Sequence, residues 1–202
     1  MAKLYFRYGT VGSAKTLNLL AVAHNYRRQG KQVCLIKPEL DTRFGKKKIK
    51  SRAGLEKDAD LLVKPDSVLD FKQFINVSCI LVDEAQFLSE FIINQFRDLT
   101  VVLHIPVICY GLRTDFKSRL FEGSKRLMEI ADSIEEVKCT CQFCNRKSVM
   151  NLKHVDGLAT VDGPSVQLGC EELYFPTCFC CYKKQIDDAK KTKENACDLA
   201  IK

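Results

Sequence analysis

Eight residues near the N-terminus form a glycine-containing loop that could bind phosphate. Residues 9–16 read GTVGSAKT, directly after an apolar run that predicts a strand and directly before a helical pattern. In this context, backbone N–H groups and the positive end of the helix dipole bind phosphate oxygens. Lys15 would then contact the β- and γ-phosphates, and Thr16 would hold Mg²⁺. The predicted binding residues are Gly9, Thr10, Val11, Gly12, Ser13, Ala14, Lys15 and Thr16.

This loop departs from the usual phosphate-loop pattern at one position, because Ala14 stands where glycine is expected before the lysine. The methyl group of an alanine narrows the backbone conformations open to that residue. The alternative interpretation is an ordinary strand-to-helix turn. The pair Lys15 and Thr16, in this sequence context, favours a phosphate loop.

Two adjacent carboxylates follow a second apolar run. Asp83 and Glu84 come directly after CILV at 79–82, where a phosphate-loop protein carries the acidic residue of its Mg²⁺ site. Adjacent side chains point in different directions, so Asp83 would serve the metal and Glu84 would be left to accept a proton. Without a phosphate loop, the same pair could simply lie at a helix N-terminus, where acidic residues are favoured.

Four cysteines have the spacing of a structural zinc site. Two C-x-x-C pairs, at 141–144 and 178–181, can each hold one side of a tetrahedral ion. Four thiolates leave no open coordination position, so the ion would be structural. Cys139 and Cys180 are competing ligands, and a redox C-x-x-C is the other alternative. The predicted ligands are Cys141, Cys144, Cys178 and Cys181.

The composition indicates a folded protein of the cytosol. Of 202 residues, 46% are hydrophobic and 28% are charged, which excludes disordered and fibrous classes. No apolar stretch approaches the roughly 18 residues of a membrane helix, and no export signal is readable. Eleven cysteines, an odd number, argue against a disulfide framework in such a protein.

The positive charge of the chain is concentrated in one segment. The net charge is +7, and residues 37–57 carry eight basic against three acidic side chains, a net +5. Such a segment suits a small, highly charged ligand or a plain solvated surface. Proteins that bind nucleic acid usually spread their basic residues over a face, so no nucleic-acid partner is expected.

Strand and helix signals alternate through the first 138 residues. The elements that they predict would position the phosphate loop and the acidic pair. The predicted strands are 3–8, 32–36, 60–63, 79–82, 106–111 and 134–137. The predicted helices are 15–29, 67–76, 88–99 and 124–131. This alternation predicts an α/β fold with a parallel sheet covered on both faces. Residues 41–54 lack a pattern and are expected to form a loop.

The composition changes after residue 138, which predicts three parts of the chain. Residues 1–138 would form a nucleotide-binding α/β domain with a phosphate loop. Residues 139–182 would form a small zinc-binding domain, in which the metal fixes both ends of the loop 145–177. Residues 183–202 would be a polar C-terminal tail, either a frayed helix or disordered.

In order along residues 1–182, these motifs resemble those of the type II thymidine kinases, a cytosolic family. The matching segments are GTVGSAKT, DTRF at 41–44, DEAQF at 83–87, Gly111-Leu112 with Phe116, CQFC and CFCC. The resemblance implies a RecA-like domain followed by a zinc-ribbon-like domain with a lasso loop. It also implies ATP-dependent phosphorylation of thymidine, and of deoxyuridine, at the 5′-hydroxyl, for nucleoside salvage in DNA synthesis.

The resemblance further implies a role for individual residues. Glu84 would be the general base for the 5′-hydroxyl, while Asp41, Arg43, Asp83 and Gln86 would belong to the site of ATP and Mg²⁺. The implied nucleoside contacts are Phe87, Leu112, Phe116, Ser165, Val166, Gln167, Leu168, Gly169 and Tyr174. A homotetramer and feedback inhibition by thymidine triphosphate are implied as well.

Two other functions stay open on the sequence. One is a phosphate-loop ATPase whose zinc ribbon binds nucleic acid, although residues 139–182 lack a basic stripe with interleaved aromatics. The other is a non-catalytic nucleotide sensor, suggested by Ala14. For a kinase, loss of zinc is expected to weaken thymidine binding much more than ATP binding, because the ATP contacts would lie on the separate sheet domain.

Overall fold

The computed structural model describes residues 2–165 and 173–200, with side chains up to residue 192. The strands are β1 (Leu4–Tyr8), β2 (Val33–Pro38), β3 (Lys48–Lys50), β4 (Glu56–Asp58), β5 (Leu61–Val63), β6 (Cys79–Val82), β7 (Val107–Gly111), β8 (Ser133–Glu136), β9 (Met150–Val155), β10 (Leu158–Thr160) and β11 (Tyr174–Thr177). The helices are α1 (Lys15–Arg28), α2 (Glu90–Val102), α3 (Glu122–Ile130) and α4 (Phe179–Ala200), with short 3₁₀ helices at Phe71–Phe74 and Ala85–Phe87.

Six parallel strands form the central sheet, in the order β5-β2-β6-β7-β1-β8. Alternate residues of β1, β2, β5, β6 and β7 pack into two different cores, as the two-residue period of a strand requires. Leu4 and Phe6 of β1 join the core that contains residues of α2 and α3. Tyr5 packs against the core built on Leu19 and Leu20 of α1. The parallel sheet with helices confirms the predicted α/β class.

The predicted helix at 67–76 is wrong, because only Phe71–Phe74 forms a short 3₁₀ helix. The backbone before it is held by a side chain from α2 instead of by helical hydrogen bonds. The Leu69 N–H donates to Gln95 Oε1 at 2.8 Å, and Gln95 Nε2 donates to the Ser67 carbonyl at 2.9 Å. The six predicted strands are all present, within two residues at either end.

The expected loop at 41–54 is wrong in its second half, where β3 pairs antiparallel with β4. Ile49 is buried in the core on the α1 side of the sheet. Lys48 Nζ lies 3.3 Å from Glu56 and 3.2 Å from Asp58. These cross-strand charge pairs stabilise the hairpin without an apolar alternation, so a hydrophobic pattern could not reveal it.

A second, three-stranded antiparallel sheet, β10-β9-β11, follows the parallel one in the chain. The strands β9 and β10 are joined by Asp156 and Gly157, both with positive φ (51° and 77°), as a two-residue hairpin turn of type I′ requires. With α4 and the loops that carry the cysteine pairs, this sheet forms what we call the cysteine module, residues 139–165 and 173–192.

Helix α4 continues across residue 182 into the segment expected to be a frayed helix or disordered, and its inner face there is buried. Ile186 and Ala189 are buried with Tyr182 against Met150 and Leu152 of β9. Residues 182, 186 and 189 share one face of the helix, since their spacing of four and three residues matches the helical period. The first turns after residue 182 are therefore part of the core of the cysteine module.

Truncation after Tyr182 should therefore destabilise the protein. The loss of Ile186 and Ala189 exposes the apolar surface that they cover, which should lower the free energy of unfolding by about 2 kcal/mol. Truncation after Thr192, which keeps both residues, should have little effect. Urea denaturation followed by circular dichroism checks this. Equal stability of the two truncated proteins would show that the part of α4 after Tyr182 adds nothing to the core.

Within the residues that the structure describes, no helix combines the length and the apolar character that crossing a membrane requires.

Candidate active site

The predicted functional residues meet at one edge of the parallel sheet. Strands β2, β6, β7 and β1 are consecutive neighbours, so their carboxyl ends lie side by side. The segments that follow them are DTRF at 41–44, DEAQF at 83–87, Leu112 and the phosphate loop at 9–16. The carboxyl edge of an open α/β sheet is where such folds bind ligands.

The phosphate loop is anchored to the strand beside it. The Gly9 N–H donates to the Gly111 carbonyl at 3.2 Å. A Cβ at Gly9 would lie 2.6 Å from the Val137 carbonyl oxygen, so only glycine fits there. Lys15 is buried, and its Nζ donates to the Thr10 carbonyl oxygen at 2.7 Å. Burial lowers the pKa of Lys15 to about 8.

Ala14 has a left-handed backbone, with φ 62° and ψ 26°, immediately before α1. This conformation favours glycine, because the Cβ of other residues approaches the following carbonyl oxygen. Alanine at this position therefore costs the folded protein stability relative to glycine.

Ala14→Gly should raise the free energy of unfolding by about 0.5–1 kcal/mol. The left-handed conformation costs an alanine about 1–2 kcal/mol, and the greater freedom of glycine in the unfolded chain offsets part of that gain. Ala21→Gly, on the exposed face of α1, is the matched control and should lose about 1 kcal/mol. Urea denaturation measures both changes, and a loss of stability in both variants would contradict the assignment.

Thr16 and Asp83 form a pair of oxygen donors between α1 and the end of β6. Thr16 Oγ1 donates to the Asp83 carboxylate, with both oxygens at 3.2 Å. Burial and the adjacent Glu84 raise the pKa of Asp83 to about 7. A hydroxyl and a carboxylate are hard oxygen ligands of the kind that Mg²⁺ prefers, so the donor set fits this ion.

Arg43 connects two carboxylates. Its Nε lies 2.6 Å from Asp41 Oδ1, and its Nη2 lies 2.6 Å from Glu84 Oε1. Asp41 also pairs with the buried Lys37, whose Nζ lies at 3.1 Å. Burial would raise the pKa of Glu84, but the Arg43 guanidinium outweighs it and lowers that pKa below its ordinary value. Glu84 is therefore ionised at neutral pH and can accept a proton.

Gln86 orients Glu84. Its Nε2 donates to Glu84 Oε2, and its Oε1 accepts from the Leu112 N–H at 3.0 Å. Glu84 itself has a positive φ of 51°. A Cβ at Gly111 would lie 2.7 Å from Gln86 Oε1, so the end of β7 needs glycine there. Gln86 thus contacts Glu84 and the Leu112 N–H after β7. Its implied place in the site of ATP and Mg²⁺ stays a prediction.

Two cavities meet at Glu84. The phosphate cavity is lined by residues 11–17 of the loop and α1, by the residues after β2 and β6, and by the β3–β4 hairpin with Lys48, Lys50 and Arg52. The aromatic cavity is lined by residues of β9 and of the segments after β6 and β7, and by Ser165 and Tyr174. The residues that line both cavities are Val11, Arg43, Glu84 and Leu112.

Aromatic rings form much of the second cavity. The Phe116 and Tyr174 rings lie 6.0 Å apart, and Phe87 meets Phe121 edge-on at 5.8 Å. The predicted contacts Val166, Gln167, Leu168 and Gly169 lie outside the described residues. The sequence reasoning missed further lining residues, which no pattern in the chain marks: Thr114, Asp115, Phe121 and Asn151.

The four predicted zinc ligands come together. The sulfur atoms of Cys141, Cys144, Cys178 and Cys181 all lie within 4.8 Å of one another. Cys144 Sγ and Cys178 Sγ are 3.7 Å apart, close to the roughly 3.8 Å that tetrahedral Zn–S bonds of about 2.3 Å imply. The donor set therefore fits Zn²⁺, and among the described residues this cluster contains neither Cys139 nor Cys180.

Backbone groups stabilise the thiolates of this cluster. The N–H of Phe143 donates to Cys141 Sγ, and the N–H of Cys181 donates to Cys178 Sγ, both at 3.4 Å. Burial would raise the pKa of Cys141, but backbone N–H donors outweigh it and lower the pKa to about 7. Because the thiolate is the metal-binding form, the backbone donors favour metal binding at Cys141. At Cys181, by contrast, hydrogen bonding with the Cys178 sulfur raises the pKa to about 12.

We expect about one zinc ion per chain, because four thiolates complete one tetrahedral site. Cys141→Ser should lose most of the metal. Cys180→Ser is the matched control, since Cys180 is exposed beside the cluster and its sulfur contacts Arg146. Metal analysis of the purified proteins decides the matter, and loss of zinc in both variants, or in neither, would contradict the ligand assignment.

Comparison with known proteins identifies the family to which the chain belongs. The family model described as thymidine kinase matches residues 2–182. The thymidine kinase of Enterococcus faecalis is 44% identical over 180 residues, which are 88% of this chain and 93% of that protein. That of Lactococcus lactis is 42% identical over 180 residues, 88% of this chain and 95% of that protein.

Among solved structures, the Pif1 helicase from Candida albicans aligns with a TM-score of 0.38 and 10% identity, over 67% of this chain and 36% of that chain. A likeness this weak bears on neither fold nor function. The match of the family model and the identity to the bacterial relatives span nearly the whole chain, and on these grounds the chain belongs to the thymidine kinase family of enzymes.

Proposed function

We propose that this enzyme transfers the γ-phosphate of ATP to the 5′-hydroxyl of thymidine, and of deoxyuridine, with Mg²⁺ bound at Thr16 and Asp83. The observation that carries the proposal is the position of Glu84, which lines both the phosphate cavity and the aromatic cavity. A base at that junction can accept the proton of a hydroxyl bound in the aromatic cavity, next to a phosphate bound in the phosphate cavity.

The charge of the phosphate cavity suits a triphosphate. Its acidic lining residues are Asp41, Asp83 and Glu84. Its basic lining residues are Lys15, Arg43, Lys48, Lys50 and Arg52. Basic residues outnumber acidic ones, and a Mg²⁺ ion would offset further charge on the phosphates.

The aromatic cavity suits a nucleoside. Phe87, Phe116 and Tyr174 provide flat apolar surfaces for a base and sugar. Ser165, which begins the segment implied to read thymine, lines the same cavity. The bacterial relatives are thymidine kinases, and we extend their substrate to this chain.

In the proposed step, the 5′-oxygen attacks the γ-phosphorus in line with the bond to the leaving oxygen. The O5′–Pγ bond forms, the bond between Pγ and the β,γ-bridging oxygen breaks, and ADP leaves. Glu84 Oε accepts the proton of the hydroxyl. Lys15 and the N–H groups of the phosphate loop stabilise the charge that develops on the transferred group.

The proposal extends to regulation and assembly. A molecule that carries both thymine and a triphosphate could occupy the two connected cavities at once, which supports thymidine triphosphate as a feedback inhibitor. By family membership we also propose a homotetramer that acts in nucleoside salvage in the cytoplasm.

An assay of ADP release separates this function from the alternatives. Release should depend on thymidine and should not respond to single-stranded or double-stranded DNA. ADP release stimulated by DNA and not by thymidine would replace the proposal with a nucleic-acid-dependent ATPase. ATP binding without turnover under any of these conditions would indicate a nucleotide sensor.

A further inference from the structure

The phosphate loop is hydrogen-bonded to the cysteine module. The Val11 N–H donates to Asn151 Oδ1 at 2.9 Å, and Thr10 Oγ1 lies 2.7 Å from Ser148 Oγ. Ser148 Oγ also donates to the Cys139 carbonyl at 3.0 Å. A hydroxyl has one hydrogen to donate, so Thr10 is the donor to Ser148. These contacts join residues about 140 positions apart in the chain.

Asn151 is the centre of this connection. It is buried in β9, and its Nδ2 donates to the Thr114 carbonyl at 2.9 Å while its Oδ1 accepts from Val11. Thr114 lies in the segment after β7, two residues before Phe116. One amide therefore links the phosphate loop, the cysteine module and a wall of the aromatic cavity. Only a side chain that donates and accepts can make both bonds.

The zinc cluster holds the strand that carries Asn151. Met150 is paired with Thr177 of β11, and Thr177 directly precedes the ligand Cys178. The Val149 N–H donates to the Thr177 carbonyl at 2.8 Å. At the other end, the Ser148 N–H donates to the Cys139 carbonyl at 2.8 Å, two residues before the ligand Cys141. Both C-x-x-C pairs thus restrain the segment 148–151.

We propose that Asn151 is a positioning residue for the phosphate loop, through which the cysteine module supports ATP binding as well as nucleoside binding. The inference rests on the proposed function for its choice of ATP. It differs from the expectation that loss of zinc would weaken thymidine binding much more than ATP binding, because the sheet domain and the cysteine module are bonded at the phosphate loop itself.

The test compares Asn151→Ala and Asn151→Asp with Met150→Ala in the full-length protein. Met150 is the neighbour in β9 whose side chain packs against Tyr182 and Ile186 instead of the phosphate loop. Calorimetry of ATP binding without nucleoside should show about tenfold weaker binding for both Asn151 variants, because each leaves a buried backbone partner unsatisfied. Met150→Ala should lower the unfolding free energy and leave ATP affinity within twofold.

Hydrogen exchange without any nucleotide supplies a second readout. The amides of residues 9–14 should exchange faster in Asn151→Ala than in the parent protein and in Met150→Ala, while zinc content stays at about one per chain. Ser148→Ala should also speed the exchange of these amides, by a smaller factor. It replaces the Asn151 variants in the test if they fail to fold.

The inference would be overturned if the amides of the phosphate loop exchanged at the parent rate in the folded Asn151 variants. It would also be overturned if Met150→Ala weakened ATP binding as much as the Asn151 variants do. Failure of the parent protein to bind ATP would refute the proposed function, and the exchange experiment would still decide the role of Asn151.

Discussion

Glu84→Gln should lower the turnover number by about 10²-fold or more, because the variant keeps the size of the side chain and loses the group that accepts the proton. The glutamine oxygen can still accept a hydrogen bond from Arg43, which lies 2.6 Å from Glu84 Oε1. Binding of ATP and of thymidine, measured separately by calorimetry, should change by less than about fivefold.

Glu135→Gln is the matched control for this prediction. Glu135 lies on the edge strand β8, where it pairs with Arg7 away from both cavities. Its replacement should leave turnover unchanged. If Glu84→Gln turned over nearly as fast as the parent protein, some other group would have to take the proton and the assigned base would be wrong.

Lys15→Met should reduce kcat/KM for ATP by about 10²- to 10³-fold, the range seen when one donor to a developing charge is removed. Lys15 is buried in the phosphate loop and contacts only loop oxygens among its described hydrogen bonds. Thymidine binding should persist, because the aromatic cavity is lined by other residues. Initial rates at varied ATP and thymidine give both quantities.

Protein stability distinguishes this effect from misfolding. Burial lowers the pKa of Lys15 to about 8, so its ammonium is costly to keep inside the folded protein. Lys15→Met should therefore unfold at an equal or higher urea concentration than the parent protein. Lys125→Met, at an exposed position of α3, is the matched control and should change neither rate nor stability. If Lys15→Met were markedly less stable than the parent protein, its loss of rate would be explained by misfolding and not by the missing charge of Lys15.

The elements that carry the site could be predicted because each leaves a local mark. Buried strands such as 79–82 are continuous apolar runs, the phosphate loop has fixed spacing before Lys15, and the cysteine pairs have the spacing of one tetrahedral ion. Two local marks were present and missed. Asp156-Gly157 signals the hairpin of β9 and β10, and the spacing of Tyr182, Ile186 and Ala189 signals a helix that continues into the expected tail.

The rest of the site could not be predicted, because it depends on contacts between distant segments. The bond between Val11 and Asn151 joins two stretches that share no local pattern. The same holds for the bond between the Leu112 N–H and Gln86, which joins the end of β7 to the segment after β6. The hairpin of β3 and β4 carries charge pairs across its strands in place of an apolar alternation, and hydrophobic periodicity does not detect such pairs.

Replacing the 5′-hydroxyl of the nucleoside tests whether the hydroxyl beside Glu84 in the aromatic cavity is the one that receives the phosphate. ADP release and the nucleotide product are measured with thymidine, with 3′-deoxythymidine and with 5′-deoxythymidine. We predict one thymidine 5′-monophosphate per ADP with thymidine, continued phosphorylation of the 3′-deoxy compound, and no ADP above the nucleoside-free background with the 5′-deoxy compound. Phosphorylation of 5′-deoxythymidine, or a 3′-phosphate in the product from thymidine, would contradict the account.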